Sequence, residues 1–204
     1  MQKVVKFGGS SLADSNQFKK VKSIIESDES RKIVVVSALG KRNKQDYKIT
    51  DLLYLTAAHL KYGVDEQQVF SIVKERYFEV LNDLGLNIDL ENEFNIIEKE
   101  FSKNIDEEYL VSRGEFLAAK LMANFLGYTF VDAKELIFFD YDGNINESKT
   151  YDALQEVLKE KGNEVEIIDY YPERLHIMGM TKRIKDKSEK LKNNLILRAK
   201  VLQY

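Results

Sequence analysis

Close to the start of the chain, Lys6-Phe7-Gly8-Gly9-Ser10-Ser11 follows the short apolar run Val4-Val5 and precedes a helical pattern. A strand, a glycine turn and a helix in that order can hold a phosphate. Glycine lets the backbone approach an anion with no Cβ in the way. The helix start beyond it offers unpaired N–H groups and the positive end of a dipole. Lys6 adds a full positive charge beside them. The pattern is neither a P-loop nor G-x-G-x-x-G, because the glycines are adjacent and the lysine precedes them. The plain alternative is a tight turn with Lys6 in solvent.

Three more stretches carry polar groups at places where elements meet. Ser37-Ala38-Leu39-Gly40 leaves the end of Ile33-Val34-Val35-Val36, and ligands of open α/β sheets bind at the carboxyl ends of strands. Thr50 precedes Leu52, Leu53, Leu55 and Leu60, where its ordinary role is a helix N-cap. Ser112-Arg113-Gly114-Glu115 reads as a helix start. Ser112 at the N-cap and Glu115 three residues later fit a capping box, which needs no ligand.

The elements that must position these groups alternate. Residues 4–7 read as a first, buried strand. The helix after the glycine turn carries Phe18, Val21, Ile24 and Ile25 on one face, with Asp14 or Ser15 as its cap. The β-branched run within residues 32–38 suits a parallel strand covered on both faces. Residues 41–48 are polar and read as a mobile loop. The helix after Thr50 stops at Gly63. Two amphipathic helices follow, one with Val69, Val73, Val80 and Leu84 before Gly85, the other with Leu90, Phe94, Ile97 and Phe101. The helix with Leu117, Leu121 and Phe125 ends at Gly127. Residues 128–131 and 136–139 read as strands, with a turn at Asp142-Gly143-Asn144. Residues 151–161 read as a helix with Leu154 and Leu158 inward, and residues 165–168 as a last strand. This alternation predicts an α/β fold with a mainly parallel sheet.

Composition narrows the function. With 204 residues, the chain is long enough for a domain with a real core. A 44% hydrophobic and 32% charged balance is that of a globular chain. A net charge of −3 gives no general attraction to nucleic acid or anionic membrane. The absence of cysteine excludes disulfides, thiolate metal sites and a cysteine nucleophile, and fits a reducing cytoplasm. Two histidines, His59 and His176, argue against a histidine-rich metal site. No apolar run approaches the ~20 residues of a membrane helix. Residues 182–192 are strongly basic, which usually marks a solvated helix face.

Taken together, Lys6-Phe7-Gly8-Gly9-Ser10-Ser11, Val35-Val36-Ser37-Ala38, Lys48-Ile49-Thr50-Asp51-Leu52-Leu53 and Ser112-Arg113-Gly114-Glu115 resemble the aspartate kinases, a branch of the amino acid kinase family. Val131-Asp132-Ala133 continues the match. The resemblance implies a three-layer αβα sandwich with a mainly parallel sheet, incomplete at its C-terminal end. It implies phosphorylation of the L-aspartate side-chain carboxylate by ATP to 4-phospho-L-aspartate, the first step to lysine, threonine and methionine. Magnesium would arrive with ATP, and no residue is assigned as a metal ligand. By position, Lys6 would be catalytic and would stabilise the transferring phosphoryl group. Lys6, Phe7, Gly8, Gly9 and Ser10 would surround the nucleotide phosphates. Ser37, Thr50 and Glu115 would hold aspartate, the hydroxyls suiting its carboxylates and Glu115 its ammonium group.

The resemblance stops at about residue 164. Aspartate kinases continue with a Pro-Gly-Phe-x-Gly turn, an Arg-Gly-Gly-Ser-Asp stretch, further nucleotide-binding sequence and, usually, ACT domains. Here no Gly-Gly pair follows Gly9. Residues 1–164 are expected to be the N-terminal part of the kinase domain and residues 165–204 a divergent basic tail. An inactive fragment that binds only nucleotide or a partner chain is the alternative expectation. Another member of the wider family acting on a different acid is a third. An incomplete sheet also predicts an open edge and self-association.

Overall fold

The computed structural model describes residues 3–160 and 165–168. β1 (Lys3–Lys6), β2 (Arg31–Val35), β3 (Thr129–Asp132) and β4 (Val165–Ile168) form one parallel sheet in the order β1-β2-β4-β3. The last strand in sequence is thus inserted between two earlier ones. β1 is an edge strand among the described residues. Its Val4 and Val5 are half-buried and its two lysines exposed, so the buried first strand expected from the sequence is corrected. Charged ends on an edge strand also oppose pairing with another chain.

Helices cover both faces. Strand residues alternate between faces, and β3 shows it. Phe130 packs into the main core, where its ring meets Phe116 edge-on, while Val131 faces a second cluster. The main core joins α1 (Ser15–Glu26), α2 (Ile49–Tyr62), α3 (Gln67–Leu84), α4 (Leu90–Lys99) and α5 (Glu107–Leu126) to one face of the sheet. The second cluster packs Leu136 and Ile137 with Ala153, Leu154 and Val157 of α7 (Glu147–Glu160) on the other. The result is the expected three-layer α/β arrangement.

The helix boundaries follow local chemistry. Asp14 caps α1 by accepting a hydrogen bond from the Gln17 N–H. Phe18, Val21 and Ile25 are buried as expected, but Ile24 is 48% exposed. A face three residues wide does not reach a fourth neighbour one step round the helix. α2, α3 and α5 end at Gly63, Gly85 and Gly127, all left-handed, where glycine carries no Cβ penalty. Residues 136–139 are not a strand. Asp132 caps a short helix, α6 (Ala133–Leu136), and Phe139 makes only an isolated bridge with Ile145 around the Asp142-Gly143-Asn144 turn. The side chain of Leu158 and the basic stretch 182–192 lie outside the described residues.

Candidate functional site

The glycine turn sits at the carboxyl ends of β1 and β2. The Phe7 N–H donates to the Val35 carbonyl at 2.8 Å, carrying the ladder one residue past β1. Gly8 then leads into a 3-10 turn, Gly9–Leu12, with the Ser11 N–H donating to the Gly8 carbonyl. Gly9 and Gly40 lie backbone to backbone. The Gly40 N–H donates to the Gly9 carbonyl at 2.9 Å, and a Cβ on Gly40 would sit 2.4 Å from that carbonyl carbon and oxygen. Only glycine permits this approach. Gly8 is different. Its φ of −84° is open to any residue, and a Cβ there would meet no atom within 4 Å. Nothing inside the protein demands glycine at position 8, and the space beside it is free for a ligand to approach.

Ser37, Thr50 and Glu115 come from three separate stretches, and their chain neighbours meet. A Cβ on Gly114 would lie 3.0 Å from the Ala38 Cβ, 3.3 Å from Ile49 Cγ2 and 3.2 Å from Leu53 Cδ1. The Ile49 N–H donates to the Leu39 carbonyl. Ala38, Ile49 and Gly114 therefore bring Ser37, Thr50 and Glu115 to one region beside the glycine turn. All three are half-buried. Lys6, whose Cα pairs in register with Val35, lies at the same sheet end, exposed together with Gly8 and Ser10.

Two capping assignments are corrected. Thr50 is not an N-cap: α2 begins at Ile49 after Lys48, so Thr50 lies inside the first turn. Ser112 and Glu115 are not a capping box either. α5 begins five residues before Ser112, where Asp106 accepts from the Glu108 and Tyr109 N–H groups. Ser112 Oγ instead donates back to the Tyr109 carbonyl at 2.7 Å. Arg113 is buried between the Tyr109 and Phe116 rings, 4.8 and 4.5 Å from their centroids, and donates to Ser112 Oγ. With both capping roles removed, Thr50 and Glu115 are left with positions beside the glycine turn that helix initiation does not explain.

The 41–48 loop, expected to be mobile, is anchored through Arg42 and Asp46. Asp46 accepts from Arg42 Nε at 3.0 Å and from Arg76 Nη1 at 2.8 Å, and Arg42 also reaches Glu79. Burial alone would raise the Asp46 pKa. Hydrogen bonds from Arg42 and the positive charge of Arg76 outweigh that and hold it at about 2. His59 bonds the Asp65 carbonyl through Nδ1 at the end of α2 and takes no part in the site. Among the described residues, no three His, Cys, Asp or Glu side chains gather as a metal site, and no helix is long and apolar enough to cross a membrane.

Comparisons with known proteins agree with this architecture. The amino acid kinase family model matches residues 1–170. The chain is 39% identical over 140 residues to aspartokinase 3 of Bacillus subtilis (strain 168), covering 65% of this chain and 30% of that protein. It is 28% identical over 195 residues to chloroplastic aspartokinase 2 of Arabidopsis thaliana, covering 82% and 34%. Among solved structures, Clostridium acetobutylicum aspartate kinase is similar at 44% identity with a TM-score of 0.76, over 81% of this chain and 38% of that one. E. coli aspartokinase III in complex with aspartate and ADP shares the fold at 21% identity and a TM-score of 0.65, over 82% and 40%. The chain thus spans about a third of the length of the curated relatives it matches. This chain belongs to the amino acid kinase family, on its aspartokinase branch.

Proposed function

We propose that this chain carries the Lys6-centred half of an aspartokinase site, which binds Mg-ATP through the glycine turn and L-aspartate through Ser37, Thr50 and Glu115. The observation that carries the reading is the meeting of the glycine turn with the Ala38, Ile49 and Gly114 neighbourhoods at one end of the parallel sheet. In the reaction, a side-chain carboxylate oxygen of aspartate attacks the γ-phosphorus of ATP. The bond to the β,γ-bridging oxygen breaks, ADP leaves, and 4-phospho-L-aspartate forms. Such a transfer asks a protein mainly for positioning and charge neutralisation. Lys6 neutralises the transferring group, and N–H groups of residues 8–10 receive phosphate oxygens. Ser37 and Thr50 bind the aspartate carboxylates, and Glu115 binds its ammonium group. Magnesium enters with ATP and neutralises phosphate charge. The absence of cysteine fits a place in the cytoplasm, at the entry to lysine, threonine and methionine synthesis.

A second reading has its own observation. Within these 204 residues no Gly-Gly pair follows Gly9, so the Arg-Gly-Gly-Ser-Asp stretch of the family it resembles is not among them. Losing one well-placed donor costs on the order of 3 kcal/mol in a transition state. On this reading the half-site binds ligand without turnover. ADP release from Mg-ATP, with and without L-aspartate, separates the two. Aspartate-dependent release that disappears in Lys6→Ala is the expected result for an active chain. A folded chain with no such release is the inactive form.

A further inference from the structure

We infer that Arg76, far from these residues in sequence, is a positioning residue that fixes the glycine turn and the 41–48 loop relative to each other. The inference rests on the half-site reading above. Arg76 projects from α3, is 2% exposed, and spreads its guanidinium over three segments. Nη2 donates to the Gly40 carbonyl at 2.8 Å and to the Ala13 carbonyl at 3.0 Å. Nη1 donates to Asp46 Oδ2 at 2.8 Å and reaches the Tyr47 carbonyl at 3.4 Å. Ala13 closes the 3-10 turn that begins at Gly9, and Gly40 is bonded to Gly9 through its own N–H. Asp46 and Tyr47 are the last loop residues before Lys48 and Thr50. One side chain therefore ties the phosphate turn, the exit of β2 and the approach to Thr50.

The chemistry needs arginine. A planar fork with five donors can satisfy two carbonyls and a carboxylate in different directions, and a lysine ammonium on a flexible stem cannot. A buried ion pair is weak evidence for stability, since an apolar residue of like volume can serve a core as well. What an apolar residue cannot do is orient two carbonyls and hold a loop. The adjacent residue extends the brace. Tyr77, fully buried, donates its hydroxyl to the Gly114 carbonyl at 2.6 Å, one residue before Glu115. Consecutive residues of α3 thus address the phosphate half and the aspartate half of the site.

The test compares the wild-type chain with Arg76→Lys, Arg76→Met and Asp46→Asn. Amide hydrogen exchange is read without ligand, and Mg-ADP affinity is read by calorimetry. The brace predicts at least tenfold faster exchange at residues 9–13 and 40–47 in Arg76→Met, with amides in α4 and the second half of α5 unchanged. It predicts a smaller change in the same segments for Arg76→Lys and Asp46→Asn, and about tenfold weaker Mg-ADP binding in Arg76→Met. A purely structural role would raise exchange throughout the chain. If Arg76→Met does not fold, the lysine and asparagine variants carry the test. Wild-type exchange at these segments in folded variants, or a rise spread over all helices, overturns the proposal. A wild-type chain that fails to bind Mg-ADP overturns the half-site reading instead, because the exchange pattern is measured in its absence.

Discussion

Asp46 is the residue whose chemistry can be tested against pH. Its carboxylate is held at about 2, below the ordinary 3.8, because Arg42 and Arg76 outweigh the effect of burial. A depressed folded-state pKa means that the ionised form is favoured by folding. The stabilisation is fully present above about pH 4 and is lost as pH falls through 3.8 toward 2. The size is about 2 kcal/mol. Urea unfolding of Asp46→Asn should therefore show a deficit of that order at pH 5 to 7, shrinking to roughly a third of it by about pH 2.5 and vanishing only below the folded-state value. A deficit that does not change with pH would contradict the assignment. The glycine turn was legible as a turn, because adjacent glycines after an apolar run end a strand; its reading as a phosphate site drew on the other motifs. Arg76 was not legible. It stands among Phe70, Val73, Tyr77 and Val80 on the buried face of an amphipathic helix. Its partners lie 36 and 63 residues away in the chain. Only a charged residue at a core position could have hinted at it.

At the scale of elements, Gly114 governs how closely α5 approaches α2 and the exit of β2. Alanine there would gain about 1 kcal/mol of helix propensity. It would also press a methyl group against Ala38, Ile49 and Leu53, at 3.0 to 3.3 Å. Overpacking of that kind costs about 1–3 kcal/mol. Gly114→Ala is therefore expected to lose about 1 kcal/mol net in urea unfolding and to weaken L-aspartate binding by moving Glu115. A net gain in stability would show that the contact is slack. Elements were legible where composition and punctuation agreed, as in the helices closed by Gly63, Gly85 and Gly127. They failed where one short pattern fits two settings. Ser112 and Glu115 have capping-box spacing, yet Asp106 caps the helix and Glu107 and Glu108 open its first turn. Residues 136–139 are apolar enough for a strand, yet Asp132 caps a helical turn and takes Leu136 into it.

For the whole molecule, the sheet order leaves β1 at one edge and β3 at the other among the described residues. Leu55 and Tyr62 lie seven residues apart on one face of α2, and both are exposed, as is Val64 just past its end. Apolar side chains in water favour association. Sedimentation velocity should show a weight-average coefficient that rises with concentration, and a constant monomer value would contradict this. The α/β class with a mainly parallel sheet followed from the alternation of apolar runs and helix patterns, and its three layers from the family resemblance. The insertion of β4 between β2 and β3 did not, because parallel pairing across long connections leaves no local signature. The active reading and the nucleotide-binding inactive reading both require the glycine turn to hold phosphate. Gly8→Ala tests this most directly, since φ and free space both permit alanine in the unliganded protein. Calorimetric titration with Mg-ADP is the measurement to make. An affinity at least tenfold weaker than wild type, with stability unchanged to about 1 kcal/mol, is the predicted result. Wild-type affinity in a folded Gly8→Ala chain would place the phosphates elsewhere and contradict the account.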